Sequence, residues 1–185
     1  MVGLTDLWLP ILVSAVLVFV VSSIVHMVLG YHKNDWVKMP NEDVVTDAIR
    51  KAGVPPGDYM FPHCGSMKDL KNPDVIEKFK RGPIGIATIF PSGPPTMGKE
   101  LVLWFLYTVA VGVCVAYLTG RTIAAGAEYL AVFRVAGTAA FLTYAGGAAH
   151  ESIWKHRRWS TTLKFLFDGL LYGLVTAGTF GWLWP

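Results

Sequence analysis

The side chains best suited to chemistry in this sequence are a small set of histidines and acids at or inside long apolar stretches. His26 and Asp168 lie within such stretches, and His150 and Glu151 directly follow another. A histidine that faces a carboxylate in weakly polar surroundings binds a metal, orients a metal-bound histidine or relays a proton. Two alternatives need no function: a buried His–Asp pair that fixes helix packing, or Lys164 reaching Asp168 one turn away.

A second pair of candidate ligands is His63 and Cys64, which are adjacent in a polar segment. Both residue types bind metals, but a structural zinc site normally has four ligands at recognisable spacing, and only the scattered His32, His150 and His156 could complete one. A nucleophilic Cys64 would need a base and an anion hole that the sequence does not place. Simple packing of a loop cysteine and histidine is the alternative.

The cofactor stays open between haem and a transition metal. In the haem version, His26 and His150 are the axial ligands. In the metal version, the candidate ligands are those named above: His26, Asp168, His150, Glu151, His63 and Cys64.

Four apolar runs must position these residues, and each is predicted to be a transmembrane helix. The clearest, Leu101 to Leu118, has no charge and is long enough to cross a bilayer. The others are residues 7–30, 129–149 and 161–184. At 53% hydrophobic and 16% charged residues, with a mean hydropathy of +0.45, the chain is too apolar for an ordinary soluble domain. The sequence predicts an all-α integral membrane protein, a four-transmembrane-helix bundle.

Residues 31–100 form a polar insert between spans 1 and 2. They hold most of the charged residues of both signs. Helix-start signals at Asn41 and at Asn72-Pro73 predict two short helices, at about 41–52 and 73–81. Residues 84–90 suit either a short strand or an irregular stretch on the lipid headgroups. We therefore expect a helix–loop–helix insert.

The distribution of Lys and Arg predicts the orientation. If both termini lie outside, the inner segments hold all these residues except Arg121 and Arg134, as the positive-inside rule requires. We expect a bacterial inner membrane, N-out and C-out, with residues 31–100 in the cytoplasm. The connector 150–160 should then bind anionic headgroups through a basic and aromatic cluster: Lys155, Arg157, Arg158, Trp154 and Trp159. Arg134 should extend to the outer interface.

This topology places several candidates at similar depth. At roughly 1.5 Å per residue, His26 lies about 6 Å, Tyr144 about 9 Å and Asp168 about 10 Å inside the membrane. They would lie at a similar level in the cytoplasmic leaflet, and His150 and Glu151 would lie at the cytoplasmic edge of this layer. Ionisable groups at such depth are costly and suggest function.

Three functions are consistent with the sequence, and the leading one is not enzymatic. It is an accessory or scaffold subunit of a membrane complex, in contact with the lipid bilayer and with partner subunits or a second copy. Small-residue faces such as Gly169 and Gly173 suit helix contacts, within the chain or between copies. The alternatives are a haem- or metal-binding redox protein and a small proton-coupled transporter or channel using Asp168. The small formal charge of +3 gives no indication of nucleic-acid binding.

Overall fold

The structure, a computed structural model, describes residues 1–185. It is 65% helical and contains four helices long and apolar enough to cross a membrane: Leu4–Val28, Gly98–Thr122, Tyr129–Lys155 and Trp159–Trp182. The predicted helical character and the four helices with the length and apolarity to cross a membrane are confirmed. In chain order the elements are α1 (Trp8–Ser23), α2 (Glu42–Lys51), β1 (Gly57–Phe61), α3 (Pro73–Arg81), β2 (Gly85–Ile89), α4 (Gly98–Thr122), α5 (Tyr129–Ala145), α6 (Ala148–Lys155) and α7 (Trp159–Trp182).

The chain divides into two compact units. The larger, here called the helical unit, comprises Met1–Trp36 and Thr96–Pro185, and the smaller, called the insert, comprises Val37–Pro95. The segment predicted as a polar connector, 150–160, is helical over α6 in the structure. The apolar core belongs to the helical unit: Leu7, Ile11, Val111, Val115, Val132, Ala136 and Phe180.

Small residues allow the long helices to approach closely. Gly112 of α4 lies against Ile11 of α1, where an added Cβ would be 3.2 Å from the Ile11 side chain. On α7, an added Cβ at Gly169 would be 2.6 Å from the Cβ of Ala145, and one at Gly173 would be 3.2 Å from Phe141. The Gly169–Gly173 face therefore packs on α5 within the chain, where close backbone approach supplies the van der Waals contact.

The insert contains a two-stranded antiparallel sheet as well as helices. β1 pairs with β2 in a register that runs from Gly57 opposite Ile89 to Phe61 opposite Gly85. The expectation of an all-α chain is corrected here. The paired segments are far apart in sequence, so no local pattern announces the pairing, although the β-branched residues of 84–89 favour a strand. At α3, the Asn72 side chain caps the helix by accepting a hydrogen bond from the Asp74 N–H at 2.9 Å.

The end of α1 departs from regular helix at a histidine. Residues Ile24–Val28 form a π-helical turn that contains His26, and such turns are frequent at functional sites. Gly30 follows with φ of +65°, in the left-handed region that favours glycine. This turn ends the helix and directs Tyr31 and His32 towards α7, whose residue Asp168 both contact.

Candidate metal centre

Three side chains that can bind a metal converge in the helical unit: His26, His32 and Asp168. One ligand atom from each lies within 4.8 Å of the other two. His26 belongs to the π-helical turn, His32 to the segment after it, and Asp168 to the middle of α7. No other group of three or more His, Cys, Asp or Glu side chains meets in this way. The π-helical turn and the left-handed Gly30 bring the two histidines onto the same side as Asp168.

A hydrogen bond to Asp35 orients His32. Its Nδ1 lies 2.6 Å from Oδ2 of Asp35. Because a carboxylate can only accept, Nδ1 carries the proton and donates, so neutral His32 has its lone pair on Nε2. A carboxylate behind a histidine in this way is the usual outer partner of a metal-bound imidazole, where it fixes the ring and increases its basicity.

The second important contact joins Nε2 of His32 to Oδ2 of Asp168, which are 3.0 Å apart. The contact lacks hydrogen-bond geometry, and both atoms are buried without any hydrogen-bond partner. Only 2% of the Asp168 side chain is exposed. An unpaired buried polar atom costs about 1–3 kcal/mol, and more when it is charged. Two such atoms facing each other point to a cation, either a proton or a metal ion, between them.

The separation of these two atoms suits a shared metal ion. Nitrogen and oxygen ligands at about 2.0–2.2 Å from a metal, separated by 90–110° at the ion, are roughly 3.0–3.4 Å from each other. The observed 3.0 Å lies within that range. His32 and Asp168 are therefore spaced as adjacent ligands of one ion.

His26 is close to the pair but is oriented differently. Its Nδ1 lies 3.1 Å from the carbonyl oxygen of Ser22, which can only accept, so Nδ1 donates and Nε2 keeps the lone pair. Its ring stacks on that of His32, with centroids 4.4 Å apart and planes within 5° of parallel. An ion cannot lie in both ring planes at once. His26, which is exposed whereas Asp168 is buried, must rotate to become the third ligand.

The carboxylates of the site have their own partners. The Tyr31 hydroxyl donates to Oδ1 of Asp168, which leaves Oδ2 as the free ligand atom. Burial, together with the hydrogen bond to Asp168, raises the pKa of Tyr31, so its hydroxyl stays protonated and remains a donor. Lys164 Nζ lies 2.6 Å from Oδ1 of Asp35 and 2.6 Å from the carbonyl oxygen of Tyr31. It thus pairs with Asp35 and not with Asp168.

The charges of this network leave room for a cation. Burial alone would raise the pKa of Asp35, but the hydrogen bonds and positive charge of Lys164 and His32 outweigh it, and the pKa is lowered. With both carboxylates ionised and His32 neutral, the single positive charge of Lys164 leaves one negative charge uncompensated. One additional positive charge would make the network neutral. A divalent metal ion between His32 and Asp168 would give it a net charge of +1.

The structure brings together only part of the predicted ligand set. His26 and Asp168 meet, as their similar depth suggested, but His150 and Glu151 are outside the group, and Glu151 pairs with Lys155 at 2.8 Å. His63 and Cys64 belong to the insert, where the Cys64 thiol donates to the Ser66 carbonyl at 3.2 Å. They form no metal group there.

His32 is the ligand that sequence reasoning placed elsewhere. From the sequence, His32 is only a possible complement to His63 and Cys64, because the predicted first span ends at residue 30 and residues 31–100 are assigned to the insert. The spacing of His32 and Asp35 gave a usable signal, since a histidine and an acid three residues apart can contact in one turn. The approach of this turn to α7 could not be read from the sequence.

The basic cluster predicted to bind headgroups is partly engaged within the chain. Trp154 and Trp159 are 71% and 55% exposed, and Lys155 is exposed too. The Arg158 guanidinium, in contrast, donates to the backbone carbonyls of Asn34 and Asp35. Arg157 stacks its guanidinium over the rings of Phe165 and Trp36, 4.8 Å and 5.7 Å from their centroids. These two arginines hold the segment that carries Asp35.

No family model, curated protein or solved structure matches this chain.

Proposed function

We propose that this protein binds one divalent transition-metal ion at one boundary of the membrane, through His32 and Asp168 with His26 as the third ligand. The observation that carries the proposal is the pair of buried, unpartnered ligand atoms, Nε2 of His32 and Oδ2 of Asp168, 3.0 Å apart. The outer partners Asp35, Ser22 and Tyr31 support the proposal. Each of them contacts one ligand side chain at the atom that would not bind the metal, so the metal-binding atom of that side chain stays free.

The ligand types restrict the kind of metal. Imidazole nitrogens suit zinc, iron, copper and nickel, and two histidines with one carboxylate and open positions are typical of non-haem iron(II) and of catalytic zinc. The set favours a single ion over haem, because His150, the expected second axial ligand, lies outside the group. Three protein ligands leave at least one coordination position for water or for another ligand, so the ion has a place for chemistry.

We further propose that the four long helices form one bundle in a bacterial inner membrane, with both termini outside and residues 31–100 in the cytoplasm. The excess of Lys and Arg in the predicted inner segments supports this orientation. In that arrangement the metal lies near the cytoplasmic leaflet. An impermeant maleimide tests the orientation: Cys64 should react in permeabilised cells and stay unlabelled in intact ones, and labelling in intact cells would reverse the assignment.

Metal analysis of the purified full-length protein tests the proposed site. Protein stripped with a chelator and then loaded separately with zinc, iron(II) or cobalt(II) should retain about one ion per chain for at least one of them. Asp168→Asn keeps the shape of the side chain and the acceptor for Tyr31 but removes the charged ligand, and should lower retention by more than about 100-fold, to background. His32→Gln should do the same.

His150→Gln is the matched control. His150 is a histidine of the same helical unit that the structure leaves outside the group, so its removal should not change metal retention. Wild-type protein that retains none of these ions, or equal retention by wild type and Asp168→Asn, would leave the His32–Asp168 pair as a protonated ion pair. A retention loss confined to His150→Gln would instead make His150, and not the His32–Asp168 pair, the ligand of the ion.

A role as a subunit of a membrane complex is the second candidate, and one observation favours it. No residue of the insert, Val37–Pro95, is fully buried. Apolar side chains of the insert, among them Phe61, Ile84 and Phe90, are exposed. A surface of this kind gains stability when it is covered by a partner protein or by lipid. Copurification of a defined partner after gentle extraction would support this role, and its loss on deletion of the insert would assign the contact.

A further inference from the structure

An open groove lies beside the exposed ligand of the candidate metal centre. It runs between the end of α1 and the start of α4, has a volume of about 280 Å³ and includes His26 in its wall. Pockets for small molecules span roughly 300–1,000 Å³, so this groove suits a narrow ligand or a single chain. Since His32 and Asp168 are largely buried and His26 is exposed, the groove side is the accessible side of the site.

The wall of the groove is mostly apolar. Met27, Met97 and Leu101 contribute apolar side chains, and the Trp104 ring closes one side. The two serines of the wall are already engaged: Ser22 Oγ accepts from Trp104 Nε1 at 2.8 Å, and Ser23 Oγ donates to the Phe19 carbonyl at 2.8 Å. The polar atoms that remain for a ligand belong to His26 and Glu100.

These two ionisable residues mark one end of the groove. The Trp104–Ser22 hydrogen bond at one end and the hydrogen bond from the Val2 N–H to the Gly120 carbonyl at the other show that the first span and α4 run in opposite directions, so the last turn of the first span lies beside the first turn of the second. His26 and Glu100 are therefore both at the membrane boundary, where lipid headgroups lie, and the apolar residues continue towards the hydrocarbon. A ligand that matches this pattern has a polar head and an apolar tail.

The charge of Glu100 restricts the head. Glu100 is exposed and belongs to none of the ion pairs of the structure, so a carboxylate at this place disfavours an anionic head in the groove by like-charge repulsion. An uncharged oxygen or nitrogen donor avoids that repulsion and can still bind the metal.

From these observations we infer that the groove delivers a membrane-dissolved, single-chain amphiphile with an uncharged donor head to the open coordination position of the metal. The inference rests on the proposed metal site. The tail lies against Met27, Leu101 and Trp104, and the head reaches the ion past His26. The bound class is a neutral long-chain lipid alcohol, taken directly from the bilayer.

Cobalt-loaded full-length protein in lipid nanodiscs provides the test, because the visible spectrum of cobalt(II) reports a new ligand. The probe is 1-dodecylimidazole, at a pH where its ring is uncharged, and imidazole is the tail-less reference. Leu101→Trp fills the groove from α4. Leu103→Trp is the matched control, since Leu103 is an exposed leucine of the same helix outside the groove wall.

Wild type and Leu103→Trp should be half-saturated at the same concentration of 1-dodecylimidazole, and Leu101→Trp should need about tenfold more. Imidazole should bind all three alike. Because every protein sees the same nanodiscs, partition of the probe into lipid cancels in the comparison. Ser23→Phe, which fills the groove from α1, replaces Leu101→Trp if that variant loses cobalt. Equal half-saturation in the groove-filled and control variants would overturn the inference.

A second comparison tests the charge argument. Glu100→Gln should strengthen binding of dodecanoate, an anionic probe, and leave that of 1-dodecylimidazole unchanged. An unchanged response to dodecanoate would remove the preference for an uncharged head. Failure of the metal site is distinguishable from failure of the groove: protein that retains no cobalt refutes the site, whereas protein that retains cobalt but shows no effect of Leu101→Trp refutes the groove alone.

Discussion

Replacement of Asp35 by asparagine should weaken metal binding without removing any ligand. Asp35 accepts from Nδ1 of His32 at 2.6 Å and pairs with Lys164 at 2.6 Å, and only 5% of its side chain is exposed. Asparagine has nearly the same shape but no charge, and its single carbonyl oxygen cannot replace both carboxylate contacts. His32 would lose the partner that fixes its ring, and its Nε2 would become a weaker donor to the metal.

The size of the effect follows from the position of Asp35 one shell outside the ion. Loss of such an outer partner typically reduces metal affinity about 10–100-fold, which is about 1.4–2.7 kcal/mol. We expect the upper half of that range, because the bond is short and shielded from water and because Lys164 is left beside the site without its carboxylate. Loss of a ligand, as in Asp168→Asn, should cost more than loss of this partner.

Competition with a coloured chelator measures the affinity in detergent solution. Asp47→Asn is the matched control, because Asp47 pairs with Arg50 on the exposed surface of α2, in the insert and outside the ligand group. This control should bind metal as the wild type does. If Asp35→Asn changed the affinity by less than about twofold while the protein stayed folded, Asp35 would not orient a metal ligand and the reasoning would fail.

Three further predictions follow from other contacts. Tyr31→Phe removes the hydroxyl that donates to Oδ1 of Asp168. In the same chelator competition it should lower the metal affinity several-fold and leave the number of bound ions per chain unchanged. If no ion were bound, Tyr31 would itself be a ligand. Gly169→Ala places a Cβ 2.6 Å from that of Ala145 and should destabilise the protein by about 1–3 kcal/mol in thermal unfolding. Gly178→Ala is the control and should be tolerated, because its Cβ would meet only the Tyr129 hydroxyl, at 3.6 Å. Equal stability of the two variants would contradict the α5–α7 packing. Lys164→Met leaves the buried Asp35 without its cation, whereas Lys155→Met breaks only the exposed pair with Glu151. Lys164→Met should therefore lower the unfolding temperature more than Lys155→Met. The reverse order would count against the Asp35–Lys164 pair.

The type of protein could be predicted from residue types and their order alone. Four long apolar runs require helices, because backbone groups in hydrocarbon have no water to bond with. A local start signal such as Asn72-Pro73 also predicts a helix, since the cap and the fixed φ act within one turn, and the structure begins α3 at Pro73. Counting residues along each span predicts a similar depth for His26 and Asp168, and their ligand atoms do lie in one group.

The site itself depended on contacts between distant parts of the chain. His32 lies 136 positions before Asp168, and only the π-helical turn, the left-handed Gly30 and the pairing of Lys164 with Asp35 bring the two together. The predicted depths put His26, Tyr144 and Asp168 in one layer, but a depth does not tell which side chains face each other. Sequence thus determined the four long apolar helices and predicted a common level for the polar residues, because hydropathy and helical rise are local properties. Tertiary structure decided which residues meet, because the rotation of each helix is set by its packing against the others.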